Sequence, residues 1–157
     1  MKIEVNKKFE EFVMNSFFQK NKYSLNDEFN NFDILEIDEC YYFSFAAPEG
    51  KYSKDFTDRT GNEVSYNRIL IEDYINEEDL SQEDLFFQGV IMCLKLIEKI
   101  KNIGFDFKII LNINEFPSLT FHKVREGEIY LEDNLNNYII DSLIVFNVVS
   151  EVDSVSG

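Results

Sequence analysis

The chain holds one histidine, two cysteines and two prolines in 157 residues, and only 15 bases against 30 acids. Each scarcity excludes something. His122 alone would have to supply the base of any nucleophile–base–acid triad. Cys40 sits in a strand pattern and Cys93 on a helix face, and with one histidine they fall short of the four donors of a structural zinc site. They read as buried free thiols suited to a reducing compartment. No GxSxG, P-loop, dinucleotide glycine pattern or HExxH occurs. The acids are numerous enough to build a Mg2+ site by residue type, but thirty acids also form pairs by chance. No apolar run approaches the ~20 residues that span a bilayer. The N-terminal MKIEVNKKFEEF lacks the apolar core of an export signal, which points to the cytoplasm. A formal net charge of -15 disfavours nucleic acid as the main partner, because phosphates would be repelled. These readings predict neither catalysis nor a cofactor, and neither a metal nor a membrane span. High acidity in itself only keeps a protein soluble, but it favours a basic partner.

What is present begins with the stretch Ser81 to Gly104. Ser81 and Asp84 fit a capping box, acids crowd the first turn, and Lys95, Lys99 and Lys101 lie toward the other end, complementing the helix dipole. Gly104 is placed to close the helix as a left-handed cap. Phe86, Val90, Cys93, Leu94, Ile97 and Ile100 follow helical spacing, widened by Phe87, Ile91 and Leu96. Gln88, Lys95, Lys99 and Asn102 form the polar ridge opposite. The pattern predicts a core helix with Leu94 and Ile97 buried against a sheet.

Elsewhere, Lys7 to Lys20 reads as an amphipathic helix, with Phe9, Phe12, Val13 and Phe17 on one face and Asn6 as N-cap. Asn21 to Asn31 is polar and turn-rich. Phe32 to Ile37 and Cys40 to Ala47 read as strands joined by Asp38-Glu39, the second ended by Pro48. Glu49 to Asn62 reads as a polar loop, and Val64 to Ile71 as a strand or the start of a helix. Phe107 to Ile113 alternates with period two, Pro117 interrupts, and Ser118 to Val124 resumes as a strand. Ser142 to Val149 is apolar on both faces, as a central strand is. The expected fold is α/β in the broad α+β sense. It is one domain over 1–150, with a mostly antiparallel sheet, an N-terminal helix and one long core helix. Residues 151–157 form a frayed tail.

Between Arg68 and Lys95 no base occurs, yet Glu72, Asp73, Glu77, Glu78, Asp79, Glu83 and Asp84 do. A helix N-terminus accounts for Glu83 and Asp84, but not for the five upstream. Packing like charges so densely opposes folding, which favours a cationic partner over a merely solvated acidic turn. Glu126, Glu128, Glu132 and Asp133 form a second cluster behind the strand holding His122. His122 itself reads as a strand residue bonded to a neighbour.

The Phe121-His122 pair, the Val124-Arg125-x-Gly127-Glu128 run, the Leu131 to Tyr138 segment and the closing apolar strand fill residues 121–148. That run resembles the C-terminal part of immunity proteins from bacterial contact-dependent growth inhibition systems, in particular ribonuclease toxin immunity proteins. The resemblance implies a protein that binds and neutralises the basic, RNA-cleaving C-terminal toxin domain of a secreted effector and has no catalytic residues. Carboxylates would meet basic side chains, with Tyr and Phe as anchors. A general acidic adaptor and a carboxylate-metal enzyme are the alternative classes.

Overall fold

A computed structural model describes residues 1–16, 23–48, 58–138 and 140–151. The chain runs β1 (Lys2–Val5), α1 (Lys7–Asn15), α2 (Asp27–Asn30), β2 (Ile34–Ile37), β3 (Cys40–Phe43), α3 (Arg59–Asn67) and β4 (Ile69–Leu70). A 3-10 turn over Ile71–Tyr74 leads to α4 (Gln82–Ile100), followed by β5 (Phe107–Asn112), β6 (Ser118–Lys123), a 3-10 turn over Leu135–Asn137 and β7 (Leu143–Val148). Five strands form one antiparallel sheet in the order β1-β7-β5-β6-β4, and β2-β3 form a separate hairpin. The α+β class expected from the sequence is the class observed. Among the described residues no helix is long and apolar enough to cross a membrane.

α4 carries the predicted capping box: Ser81 Oγ accepts from Asp84 N–H, and Asp84 Oδ2 accepts from Ser81 N–H. Its buried face is Leu85, Gln88, Gly89, Met92, Cys93, Leu96 and Ile100, rotated from the expected one. Leu94, expected inside, is 50% exposed, and Gln88, expected on the polar ridge, is fully buried. Gly89 explains the rotation. A Cβ there would lie 2.9 Å from Leu111 Cδ1, so the missing side chain is where the helix comes closest to β5. A count of apolar residues ignores glycine and so misplaces the line of approach. Gln88 follows Gly89 inward because the Tyr23 backbone receives it: in the amide orientation that satisfies both groups, it donates to Tyr23 O at 3.1 Å and accepts from Tyr23 N at 2.9 Å. The helix stops at the C-cap Lys101, so Gly104, at φ +103°, lies in the following turn instead of capping it.

Other boundaries shift for local reasons. Asn6 caps α1 as expected, accepting from Phe9 N–H at 2.9 Å, but the helix ends at Asn15, and Phe17 to Lys20 lie outside the described residues. The Asn6 side chain also accepts from Leu143 N–H and donates to the Asp141 carbonyl, pinning the first helix to the last strand. Asp38 and Glu39 turn the hairpin with φ of 50° and 65°, the left-handed values that match strand twist in a two-residue turn. β3 ends at Phe43, ahead of Pro48. The expected loop from Glu49 is described only from residue 58, and there it becomes α3 at Arg59, capped by Asp58 Oδ1 on Gly61 N–H at 2.6 Å. Val64 to Asn67 is thus helical, not a strand. Glu151 N–H donates to the Lys101 carbonyl at 2.9 Å, and the rest of the expected frayed tail, 152–157, lies outside the described residues.

The main core fills the α4 face of the sheet, with Phe107, Ile109, Leu111, Phe121, Phe146 and Leu96 almost wholly buried. On the opposite face Ile110, Leu143 and Val145 pack under Leu131, Leu135 and Tyr138. The segment Leu131–Tyr138 is therefore the lid of a second, smaller core. Cys40 and Cys93 are both buried free thiols.

Candidate functional site

The five acids at 72–79 come together. Glu72, Asp73, Glu77, Glu78 and Asp79 line one depression of about 420 Å3, floored by Leu80 and Leu85 at the start of α4. Their backbone is anchored from several sides. Ile71 is fully buried and donates its N–H to the Pro117 carbonyl at 3.0 Å, and Ile75 pairs with Leu25 in an isolated antiparallel bridge. Asn26 N–H donates to Tyr74 O at 2.8 Å, and Asn76 N–H to Ser24 O at 3.1 Å. Asp79 sits at φ 55°, a left-handed conformation that Asp tolerates and that turns the chain toward the α4 cap. All five acids are exposed, and among the described residues none has a base within ion-pair distance. The neighbouring Tyr74 phenol is pushed up to about 12, first by burial and further by the charges of Glu28 and Asp73. No group of three or more His, Cys, Asp or Glu among the described residues is gathered closely enough to hold a metal ion. The carboxylates are thus spread along the rim without converging on one point.

The second cluster is divided. Glu126 is exposed in a turn that Glu128 N–H closes onto the Arg125 carbonyl, with Gly127 at φ +79°. Such a turn favours glycine at its third position, which explains the Arg125-x-Gly127-Glu128 pattern locally. Glu128 is half-buried and accepts from Thr60 N–H at 3.1 Å, so its carboxylate serves the first turn of α3. Glu132 and Asp133 line a different, smaller depression with Glu4 and Lys108, where the charge is mixed. Glu132 also accepts from Asn137 Nδ2 at 2.6 Å.

Sequence reasoning missed a buried polar seam. Glu63 and Asn67 lie one turn apart on α3, and both are fully buried. Glu63 Oε2 accepts from Tyr41 N–H at 2.7 Å and Oε1 from Lys123 N–H at 3.1 Å. Asn67 Nδ2 donates to the carbonyls of Tyr41 (2.9 Å) and Phe121 (3.2 Å), and its Oδ1 accepts from Phe43 N–H at 3.0 Å. The two side chains thereby join β3 to the edge of β6 where no strand pairs with it. Arg125 neutralises Glu63 directly and donates to Glu39 O at 3.0 Å and Thr60 Oγ1 at 3.2 Å. Burial raises the Glu63 carboxyl above the usual carboxylate range, with the Arg125 guanidinium and two backbone amides opposing it. The Val124-Arg125-x-Gly127-Glu128 run therefore holds the architecture together around α3.

His122 is 4% exposed on β6, its Nδ1 donating to the Lys123 carbonyl at 2.8 Å and its ring edge-on to Tyr130. Burial holds its pKa below the ordinary histidine value. A depressed folded-state pKa means that only the unfolded chain takes up the proton as pH drops below ~6.5. Wild type should therefore lose up to ~1.4 kcal/mol per pH unit on this account, relative to His122→Asn, as pH falls below that value. Urea melts of both chains between pH 7.5 and 5.5 measure the difference; parallel pH profiles would show that His122 protonates as freely folded as unfolded.

A family model described as "Uncharacterized protein PM0498 family" matches residues 4–154. Uncharacterized protein PM0498 of Pasteurella multocida (strain Pm70) is similar, 29% identical over 128 residues, covering 72% of this chain and 77% of that protein. No solved structure matches.

Proposed function

The chain belongs to the PM0498 family, and from that premise we propose that it acts by binding: its acidic depression docks a basic protein and blocks that protein's activity. The specific form of the proposal is immunity. The partner is the basic, RNA-cleaving C-terminal toxin domain of a contact-dependent growth inhibition effector, neutralised in the cytoplasm of the producing cell. The observation that carries the binding role is the gathering of Glu72, Asp73, Glu77, Glu78 and Asp79 on one anchored rim without described counter-charges. A surface that cleaves RNA needs cations to hold phosphates, and a rim of spaced carboxylates is complementary to such a surface. The resemblance of residues 121–148 supports a toxin as the partner. It does so through similarity of the run as a whole, since Arg125 and Glu128 are engaged within the fold. Glu126, Glu132 and Asp133 remain exposed and could widen the contact.

The test is co-expression with the cognate toxin domain in a susceptible bacterium, paired with calorimetry of the purified proteins. Growth protection and a one-to-one complex that weakens with salt are expected. A chain that protects no cell and binds several unrelated basic proteins weakly would replace immunity with a general adaptor role. Binding to none would overturn the proposal.

A further inference from the structure

β1 is an edge of the sheet, without a strand on its outer side among the described residues, and the ladder identifies which of its backbone groups face outward. Asn6 N–H donates to the Leu143 carbonyl at 3.2 Å, which makes Asn6 and Leu143 a hydrogen-bonded pair in the β1/β7 register. Antiparallel pairs alternate, so Glu4 and Lys2 also turn their N–H and C=O groups toward β7. Ile3 and Val5 turn theirs away from the sheet, and neither has a partner there among the described residues. Ile3 lies opposite Phe146 and Val5 opposite Ile144, both core residues, so the two side chains sit on the α4 face of the sheet. Yet Ile3 is 50% exposed and Val5 37%. Lys2 and Glu4 occupy the other face and form an ion pair at 2.9 Å. An edge with free ladder groups and exposed apolar side chains is an invitation to strand addition.

We propose that this edge docks β1 of a second copy of the chain, antiparallel, with Ile3 opposite Ile3 at the two-fold axis. Charge selects both the occupant and the register. In this register Lys2 of each copy faces Glu4 of the other in a non-hydrogen-bonded pair, where side chains approach most closely. The alternative that centres the axis on Glu4 sets two carboxylates face to face. The chosen pairing forms ladder bonds between the two Ile3 residues and from each Val5 N–H to the Met1 carbonyl of the other copy. It also stacks the exposed Ile3 side chains and fuses two five-stranded sheets into one of ten strands. The densest acidic cluster, at 72–79, does not oppose it at close range, and Glu132 and Asp133, which share a depression with Glu4, have Lys108 beside them. The acidic depression follows β4, at the opposite edge of the sheet from β1. Four strand spacings of ~4.8 Å separate those edges, well beyond the screening length of ~8 Å at physiological salt. The inference is independent of the immunity proposal.

Sedimentation velocity from 1 to 200 micromolar in about 150 mM salt reads the association; the dilution series sets the scale, and Debye screening sets the salt. A reversible dimer is expected. Ile3→Pro removes an N–H that faces away from β7, so it should give a monomer with an unchanged melting curve. Glu4→Lys sets Lys2 against a lysine and should weaken association at least tenfold. The double exchange Lys2→Glu with Glu4→Lys should restore it. Lys2→Glu mixed with Glu4→Lys should form a heterodimer although neither chain pairs with itself. A chain that stays monomeric at the highest concentration, or a dimer that survives Ile3→Pro, would overturn the inference.

Discussion

Leu96→Asp is expected to leave the chain unfolded, while Leu94→Asp melts close to wild type. Leu96 is fully buried on the α4 face against the sheet, among the largest enclosed side chains of the core. A carboxylate there has no described cation to pair with. Its desolvation, together with the lost apolar contact, costs several kcal/mol, against a total stability of ~5–15 kcal/mol for a domain. Leu94, two residues earlier, is 50% exposed, and a charge there stays in water, within ~0.5 kcal/mol of wild type. Circular dichroism melts of the two variants make the comparison directly. Equal destabilisation, or the reverse order, would mean that α4 presents the face its apolar periodicity suggests and not the one centred on Gly89.

Arg125→Ala should lower stability by ~3–5 kcal/mol, more than its position in a surface turn would suggest. The guanidinium is the only cation described against the fully buried Glu63, and its removal strands a carboxylate between β3 and β6. Glu63→Gln should also be costly, because one amide oxygen cannot serve both the Tyr41 and Lys123 N–H groups and the new NH2 faces donors. Once either partner is gone, losing the other matters less. The double variant should therefore be less destabilised than the two singles together, by at least ~1 kcal/mol. Urea denaturation of the four chains closes the cycle. Simple additivity would mean that the seam holds without the ion pair.

Signals confined to a few neighbouring residues were legible in the sequence. The Ser81 box, the Asn6 cap, the Asp38-Glu39 turn and the alternation of β5 each need only local chemistry, and each is found as read. What failed depends on distant partners. The start of α3 reads as a polar loop, with strand or helix left open from Val64, because Thr60, Asn62, Glu63 and Asn67 are polar, yet all four are buried. Glu63 and Asn67 are buried because strands far along the chain offer them backbone groups to bond. Gln88 is inside because the Tyr23 backbone receives it, and no periodicity records that. The four-residue β1 carries too little pattern to stand out and exists through pairing with β7 at the other end of the chain. The candidate site divides in the same way. The density of acids at 72–79 is visible in the sequence, whereas their gathering on one rim depends on anchors at Pro117 and Leu25. The acids at 126–133 are nearly as dense, but the fold parts them, assigning Glu128 to α3 and Glu132 and Asp133 to another depression.

The binding proposal turns on whether the five rim carboxylates steer a basic partner. Stopped-flow association with the cognate toxin domain, at low and at moderate salt, measures this for wild type and for a chain carrying Glu72→Gln, Asp73→Asn, Glu77→Gln, Glu78→Gln and Asp79→Asn. Electrostatic steering raises on-rates by ~10- to 1,000-fold, so the neutral rim should associate at least tenfold more slowly at low salt, with a flatter salt dependence. Its melting temperature should be equal or slightly higher, since mutual repulsion is relieved. An unchanged rate with an unchanged salt slope would contradict the account and reduce the depression to a solvated acidic face.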